Sequence, residues 1–161
     1  MKVNNAGIQL IKTFEGCLLN AYLCPAKVWT IGYGSTRYTN GTPVKQGDKI
    51  TQQQAEELLI DTVNIFSQNV SKLIKSELTD NQFSALVSFA FNLGINALAK
   101  STLLKKVNVN PNDKSIEQEF VKWVNAGGKK LSGLIRRRNA NQNFISAKIN
   151  NHVFFANHTK E

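Results

Sequence analysis

A carboxylate, a thiol and a hydroxyl stand close together near the start of the chain, Glu15, Cys24 and Thr30 within FEGCLLNAYLCPAKVWTIGYGST. Glu15 follows Ile8 and Ile11 at helical spacing, so it continues an apolar stripe where another hydrophobe would fit. It also falls in the last turn of that helix, where the negative end of the dipole disfavours a carboxylate. Both effects suit a carboxyl that must hold a proton, as a general acid near neutral pH does. The plain alternative is a helix-end glutamate that bends out to water. Cys24 precedes Pro25 at a turn between two strand-like runs. A buried structural thiol is the ordinary role of cysteine, and Cys17 suits it better than Cys24 does. A protease-type nucleophile would want a histidine base. The two histidines, His152 and His158, both stand in the C-terminal tail, which weakens that assignment. In WTIGYGS, strand alternation puts Thr30, Gly32 and Gly34 on one face and Ile31 and Tyr33 on the other. Two glycines beside the hydroxyl mean either that a ligand or backbone comes close, or that the chain makes a bulge or tight hairpin. A dinucleotide fingerprint is excluded, because Arg37 stands where its third glycine belongs.

The elements that must position these groups are helical after one compact β segment. GIQLIKTFEG reads as a short first helix stopped by Gly16. From Leu18 to about Ile50, β-formers broken by Pro and Gly read as a small antiparallel sheet with turns. Thr51 and Gln54 form a capping box that opens a long amphipathic helix, with Ala55, Leu58, Leu59, Val63, Phe66, Val70, Leu73 and Ile74 on one face. Thr79 and Gln82 repeat the signal before TDNQFSALVSFAFNLG, which is apolar nearly all round and should be the central buried helix. KSTLLKKVN, NDKSIEQEFVKWVNAGG and LSGLIRRRNANQNFISAK give shorter helices, and INNHVFFANHTKE reads as a loose tail.

With 161 residues, 42% of them hydrophobic, the chain can bury one proper core and is too short for two large domains. Its two cysteines make neither a disulfide framework nor a zinc spacing, which suits free thiols in a reducing compartment. No signal-peptide pattern and no long apolar run is present, so neither secretion by a leader nor a membrane span is expected. The net charge of +9 suits an anionic partner without choosing among nucleic acid, membrane surface and wall polymer. Five cations, Lys129, Lys130, Arg136, Arg137 and Arg138, gather around the start of a late helix. They read either as a solvated helix face or as a means of holding an anionic wall. Trp29 and Trp123 could stack on sugars, but buried aromatics are the safer reading.

These residues carry a resemblance. FEG, AYLCP and WTIGYGST, then DNQFSALVSFAFNLG, STLLKKVN and FVKWVNAGGKKLSGLIRRR, resemble in order a phage-type lysozyme, an endolysin of glycoside hydrolase family 24. Glu15, Cys24 and Thr30 meet that family's spacing of glutamate, aspartate or cysteine, and threonine. The resemblance implies an α+β fold, a single lysozyme-like domain with a β-rich lobe at about 18–50, a helical lobe at about 51–149 joined by the first helix, and a flexible tail at about 150–161. It implies hydrolysis of the β-1,4 bond between N-acetylmuramic acid and N-acetylglucosamine, with Glu15 as acid and Cys24 and Thr30 handling the attacking water. Gly32, Gly34 and Thr36 would lie along the substrate. No cofactor or metal, a monomer, peptidoglycan as partner, no specific nucleic acid and no stable membrane insertion are expected. The enzyme would stay in the host cytoplasm until a separate holin-type membrane lesion releases it. Ser35 and Asn141 depart from the family, which usually has histidine and frequently glutamate there; both are expected to shape packing. A basic nucleic-acid-binding protein and a catalytically silent wall-binding protein are the rival readings.

Overall fold

The structure is a computed structural model that describes residues 1–147. The predicted tail, with His152 and His158, lies outside the described residues.

Helix α1 (Asn5–Glu15) begins earlier than its apolar stripe, because the Asn4 side chain accepts a hydrogen bond from Gly7 N at 2.8 Å and caps it. It buries Leu10 and Ile11. Gly7 brings α1 hard against the helix that follows Thr79: a Cβ added there would stand 2.6 Å from Ser84 Cβ. Gly7→Ala is therefore expected to destabilise the fold by about 1–3 kcal/mol, the usual cost of overpacking. A thermal melt of the variant checks this, and an unchanged midpoint would show that the two helices can part.

Strands β1 (Leu18–Leu23) and β2 (Trp29–Gly32) pair antiparallel, Tyr22 opposite Thr30 and Leu23 opposite Trp29, with an irregularity between Leu18 and Tyr22. Their loop is closed by Cys24 N donating to Val28 O at 3.0 Å and Lys27 N donating to Cys24 O at 2.8 Å, with Lys27 in the left-handed region at φ 58°. That is the geometry of a turn followed by one left-handed residue. The glycine-rich stretch WTIGYGS ends in a tight hairpin. Ile31 and Ser35 exchange both backbone hydrogen bonds at 2.9 Å, and Gly32 and Gly34 between them sit at φ 64° and 100°.

Both capping boxes form. Helix α2 (Gln52–Ser71) follows Thr51, and α3 (Asp80–Leu93) follows Thr79. Leu73 and Ile74, expected on the α2 face, lie past its end. Gln82 to Ala90 of α3 are all buried, so it is the central helix. Gly94 ends α3 and opens α4 (Ile95–Lys100), followed by α5 (Thr102–Val109) and α6 (Ile116–Val121). The helix expected across residues 112–128 is thus cut short. Asn125–Ala126 (β3) and Lys129–Lys130 (β4) instead form a hairpin around Gly127 and Gly128, whose φ angles of 56° and 78° no helix accepts. Helix α7 (Ser132–Ser146) closes the described chain. The main core joins all seven helices, α4 through Leu98, and a smaller cluster of Ile31, Val44 and Leu58 lies under the β1–β2 sheet.

Candidate active site

Glu15 is the last residue of α1, and Gly16 behind it turns the chain into β1 with φ 66°. This puts the carboxylate where the helical part hands over to the sheet. Its side chain is 21% exposed, and Oε1 lies 2.7 Å from Arg137 Nη2 of α7, itself 6% exposed. Glu15 Oε1 and Arg137 Nε and Nη2 are buried without hydrogen-bond partners among the described residues. The contact is therefore an ion pair and not an aligned fork. The guanidinium also sits 5.6 Å from the Phe14 ring centre, which fixes it on the α1 end.

This partner was not expected. Of the five cations read as a solvated face or a wall contact, Arg137 and Arg138 are buried, whereas Lys129, Lys130 and Arg136 are exposed. The overlooked signal is spacing: Arg137 and Arg138 share one helical stripe with Leu134, Asn141, Phe144 and Ile145. Arg138 is enclosed by the Trp123 carbonyl at 3.2 Å, Asn141 Oδ1 at 2.9 Å, Asn92 Oδ1 and the Phe89 ring. No carboxylate pairs with it among the described residues. Burial first, and Arg137 second, push its guanidinium down to about 10. Asn141 also donates to Ala85 O, so it ties α7 to α3, as its expected packing role requires.

Cys24 and Thr30 come together across the β1–β2 hairpin. Cys24 is half-exposed and free, and Thr30 is buried, its hydroxyl donating to Val28 O at 3.0 Å. A backbone hydrogen bond from Val28 above all holds the Cys24 thiol below its ordinary value, helped by Ala26 and the Thr30 hydroxyl and opposed by desolvation. The hairpin loop thus favours a thiolate at this position. No hydrogen bond or ion pair joins Glu15 to Cys24 or Thr30 among the described residues.

A polar network ties α1 to the sheet behind Glu15. Lys12 Nζ lies 2.7 Å from Glu56 Oε1 and over the Tyr33 ring, and Gln52 donates to Tyr33 Oη at 3.0 Å and to Glu56 at 3.2 Å. Gly32 is buried, a Cβ on it meeting Ala55 and Ile50 at 3.4 Å, while Gly34 and Thr36 are exposed. Trp123 packs edge-on to Phe89, and Trp29 packs on the small core cluster. No group of three His, Cys, Asp or Glu among the described residues could hold a metal ion. Two pockets, of about 320 and 340 Å³, involve none of the residues Glu15, Cys24 and Thr30.

The pattern of the family described as phage lysozyme matches residues 12–141, which contain Glu15, Cys24, Thr30 and Arg137. The chain belongs to the phage lysozyme family. It is 44% identical over 140 residues to the endolysin of Bacillus phage B103, covering 86% of this chain and 51% of that protein. It is 43% identical to the endolysin of Acyrthosiphon pisum secondary endosymbiont phage 1, covering 87% and 94%. The solved endolysin from Escherichia coli O157:H7 phage FAHEc1 superposes with a TM-score of 0.81 at 40% identity, covering 90% and 93%. The chain spans about half the length of the Bacillus phage relatives it matches. Its mixed architecture, helices around a small antiparallel sheet, is that of lysozyme structures.

Proposed function

We propose that this phage lysozyme family member cleaves peptidoglycan at the β-1,4 bond between N-acetylmuramic acid and N-acetylglucosamine. The observation that carries the reading is Glu15, fastened at the end of α1 by Arg137 and followed directly by the hairpin that bears Cys24 and Thr30. The relatives named endolysin support it. Residues of about 18–50 form one wall of the cleft and the helical part the other, within a single domain.

Glu15 gives its proton to the glycosidic oxygen as the bond from C1 to that oxygen breaks. The carboxylate left behind forms with Arg137 the ion pair that the structure records, so that pair is the state after proton transfer, and Glu15 takes up a proton before the next turnover. Water supplies the oxygen that joins C1, held by the Thr30 hydroxyl and activated by the Cys24 thiolate, which takes its proton. Gly34 and Thr36, which are exposed, flank the bound strand, whereas Gly32, buried against Ala55 and Ile50, serves the hairpin. Turbidity of purified peptidoglycan, followed with the natural sequence, tests the reading: clearing supports it, and duplex DNA binding without clearing favours the nucleic-acid rival.

Lys129, Lys130 and Arg136, exposed and without ion pairs among the described residues, hold the enzyme on the anionic wall. Raising salt from about 0.1 M to 1 M shortens the screening length from about 10 Å to about 3 Å. Wall lysis is expected to fall several-fold across that range, while cleavage of short neutral fragments changes little. Equal loss on both substrates would remove the electrostatic role.

For delivery, we propose passage to the wall through a separate membrane lesion. No helix among the described residues is long and apolar enough to cross a membrane. Expression alone should leave cells intact and expression with a pore-forming protein should lyse them; lysis by the enzyme alone would overturn this route.

A further inference from the structure

Between the turn after the sheet and the first half of α2 lies the pocket of about 320 Å³. Tyr38, Ile50 and Leu58 give it apolar walls, and Asn40, Gln54 and Glu57 stand among its lining. The Tyr38 ring is held by its hydroxyl, which donates to Asp48 Oδ2 at 2.9 Å. Thr39 also lines the pocket but donates its hydroxyl to Asp61 Oδ2, whereas Asn40, Gln54 and Glu57 each have one atom used internally and another left over. Asn40 Oδ1 accepts from Thr42 N, Gln54 Oε1 from Thr51 N, and Glu57 Oε1 from Gln53 Nε2. The Asn40 and Gln54 amide NH₂ groups and Glu57 Oε2 have no partner among the described residues, so these exposed groups at the pocket are open to solvent or to a ligand.

That set of groups selects a ligand class. No lysine or arginine lines the pocket and Glu57 does, which disfavours phosphate or carboxylate. Apolar walls, an aromatic ring and a few fixed polar groups suit a ring with C–H faces, hydroxyls and an amide. Small-ligand pockets start at roughly 300 Å³, so the space takes about one sugar unit. The site is separate from the candidate active site. Ile31 and Leu58 are buried in the cluster on which Tyr38 and Ile50 pack, and strand alternation sends Thr30 to the opposite face of β2.

We propose that this pocket is a second, non-catalytic carbohydrate site that binds a neutral N-acetylated hexosamine unit. That its ligand belongs to the wall polymer rests on the function proposed above. A strand held both here and in the cleft would leave the enzyme more slowly than one held at the cleft alone.

The test is an amide-shift titration by NMR with the neutral trimer of N-acetylglucosamine, using Glu15→Gln to prevent cleavage. Expected are shifts at Asn40, Gln54 and Glu57 that saturate in the millimolar range. Adding Glu57→Arg, which covers the pocket from an exposed helix position, should weaken these shifts at least fivefold, and Asn40→Ala should weaken them to a lesser degree. In the active enzyme Asn40→Ala, which leaves the net charge unchanged, should lower the ratio of wall lysis to soluble-fragment cleavage about twofold. Absence of pocket shifts, shifts indifferent to both variants, or an unchanged ratio overturns the proposal. If the natural sequence clears no wall, the proposed function fails, and the pocket shifts still decide the site.

Discussion

Glu15→Gln is expected to fold and to lose wall lysis by roughly 10²–10⁴-fold, the range that a positioned proton donor supplies. The amide keeps the shape of the side chain but has no proton acidic enough for a departing sugar oxygen. The structure adds a cost. Arg137 is 6% exposed and would lose its counter-charge, which leaves a mostly buried cation facing a neutral amide. A destabilisation of about 1–3 kcal/mol follows, as for other buried charged groups that lose a partner. In a chain of this size that lowers the melting midpoint by roughly 2–10 °C. Lysis is therefore compared at 25 °C, with a melt to show that the variant is folded there. If the folded variant clears peptidoglycan at a tenth of the normal rate or more, the acid lies elsewhere and Glu15 is chiefly the counter-ion of Arg137.

That dual position of Glu15 also shows what the sequence could not reveal. Its place on the α1 stripe follows from periodicity, and its place at the end of α1 follows from Gly16. Its partner is more than a hundred residues away, in a run of three arginines that reads by composition as a charged surface. Burial of charge is a tertiary decision: Arg137 goes inside because Glu15 and Phe14 are there to receive it, and Arg138 because Asn92, Asn141 and the Trp123 carbonyl are. Stripe position could have flagged both arginines, since Leu134, Asn141, Phe144 and Ile145 continue the same face of α7.

The elements with local chemistry were legible for local reasons. Thr51 with Gln54, and Thr79 with Gln82, satisfy free helix N–H groups within three residues, so the starts of α2 and α3 are written in the chain. In the stretch from 112 to 128 the apolar residues keep helical spacing past Val121, where α6 ends, so periodicity alone overextends the helix. Gly127 and Gly128 could have argued for a turn between two strands, a pattern that needs φ above zero at both. The glycines at 32 and 34 left two options open, and backbone geometry alone accounts for both. The tight hairpin they make sets Tyr33 against Gln52 and Lys12, which helps fix the sheet relative to α1.

Cys24 carries the second large effect. Its loop geometry, with a Val28 backbone hydrogen bond as the largest cause, holds the thiol below its ordinary value. The working form in the proposed reaction is the thiolate, so activity should rise with pH as Cys24 loses its proton and fall as it regains it. Cys24→Ser cannot ionise in this range and is expected to lose roughly 10²-fold, the low end for a lost general base. Cys24→Asp should keep much of the activity, because a carboxylate can take the same proton. An aspartate ionises near pH 4 when unperturbed, so the rising limb of its profile should move to lower pH. At about pH 5 Cys24→Asp should then outperform the natural enzyme, which is the outcome hardest to obtain from a packing role. The measurement is initial lysis rate against pH for the three proteins on one batch of peptidoglycan. Should Cys24→Ser retain full lysis with an unchanged profile, the thiol only fills space in the hairpin, and the water is held by Thr30 and the backbone without it.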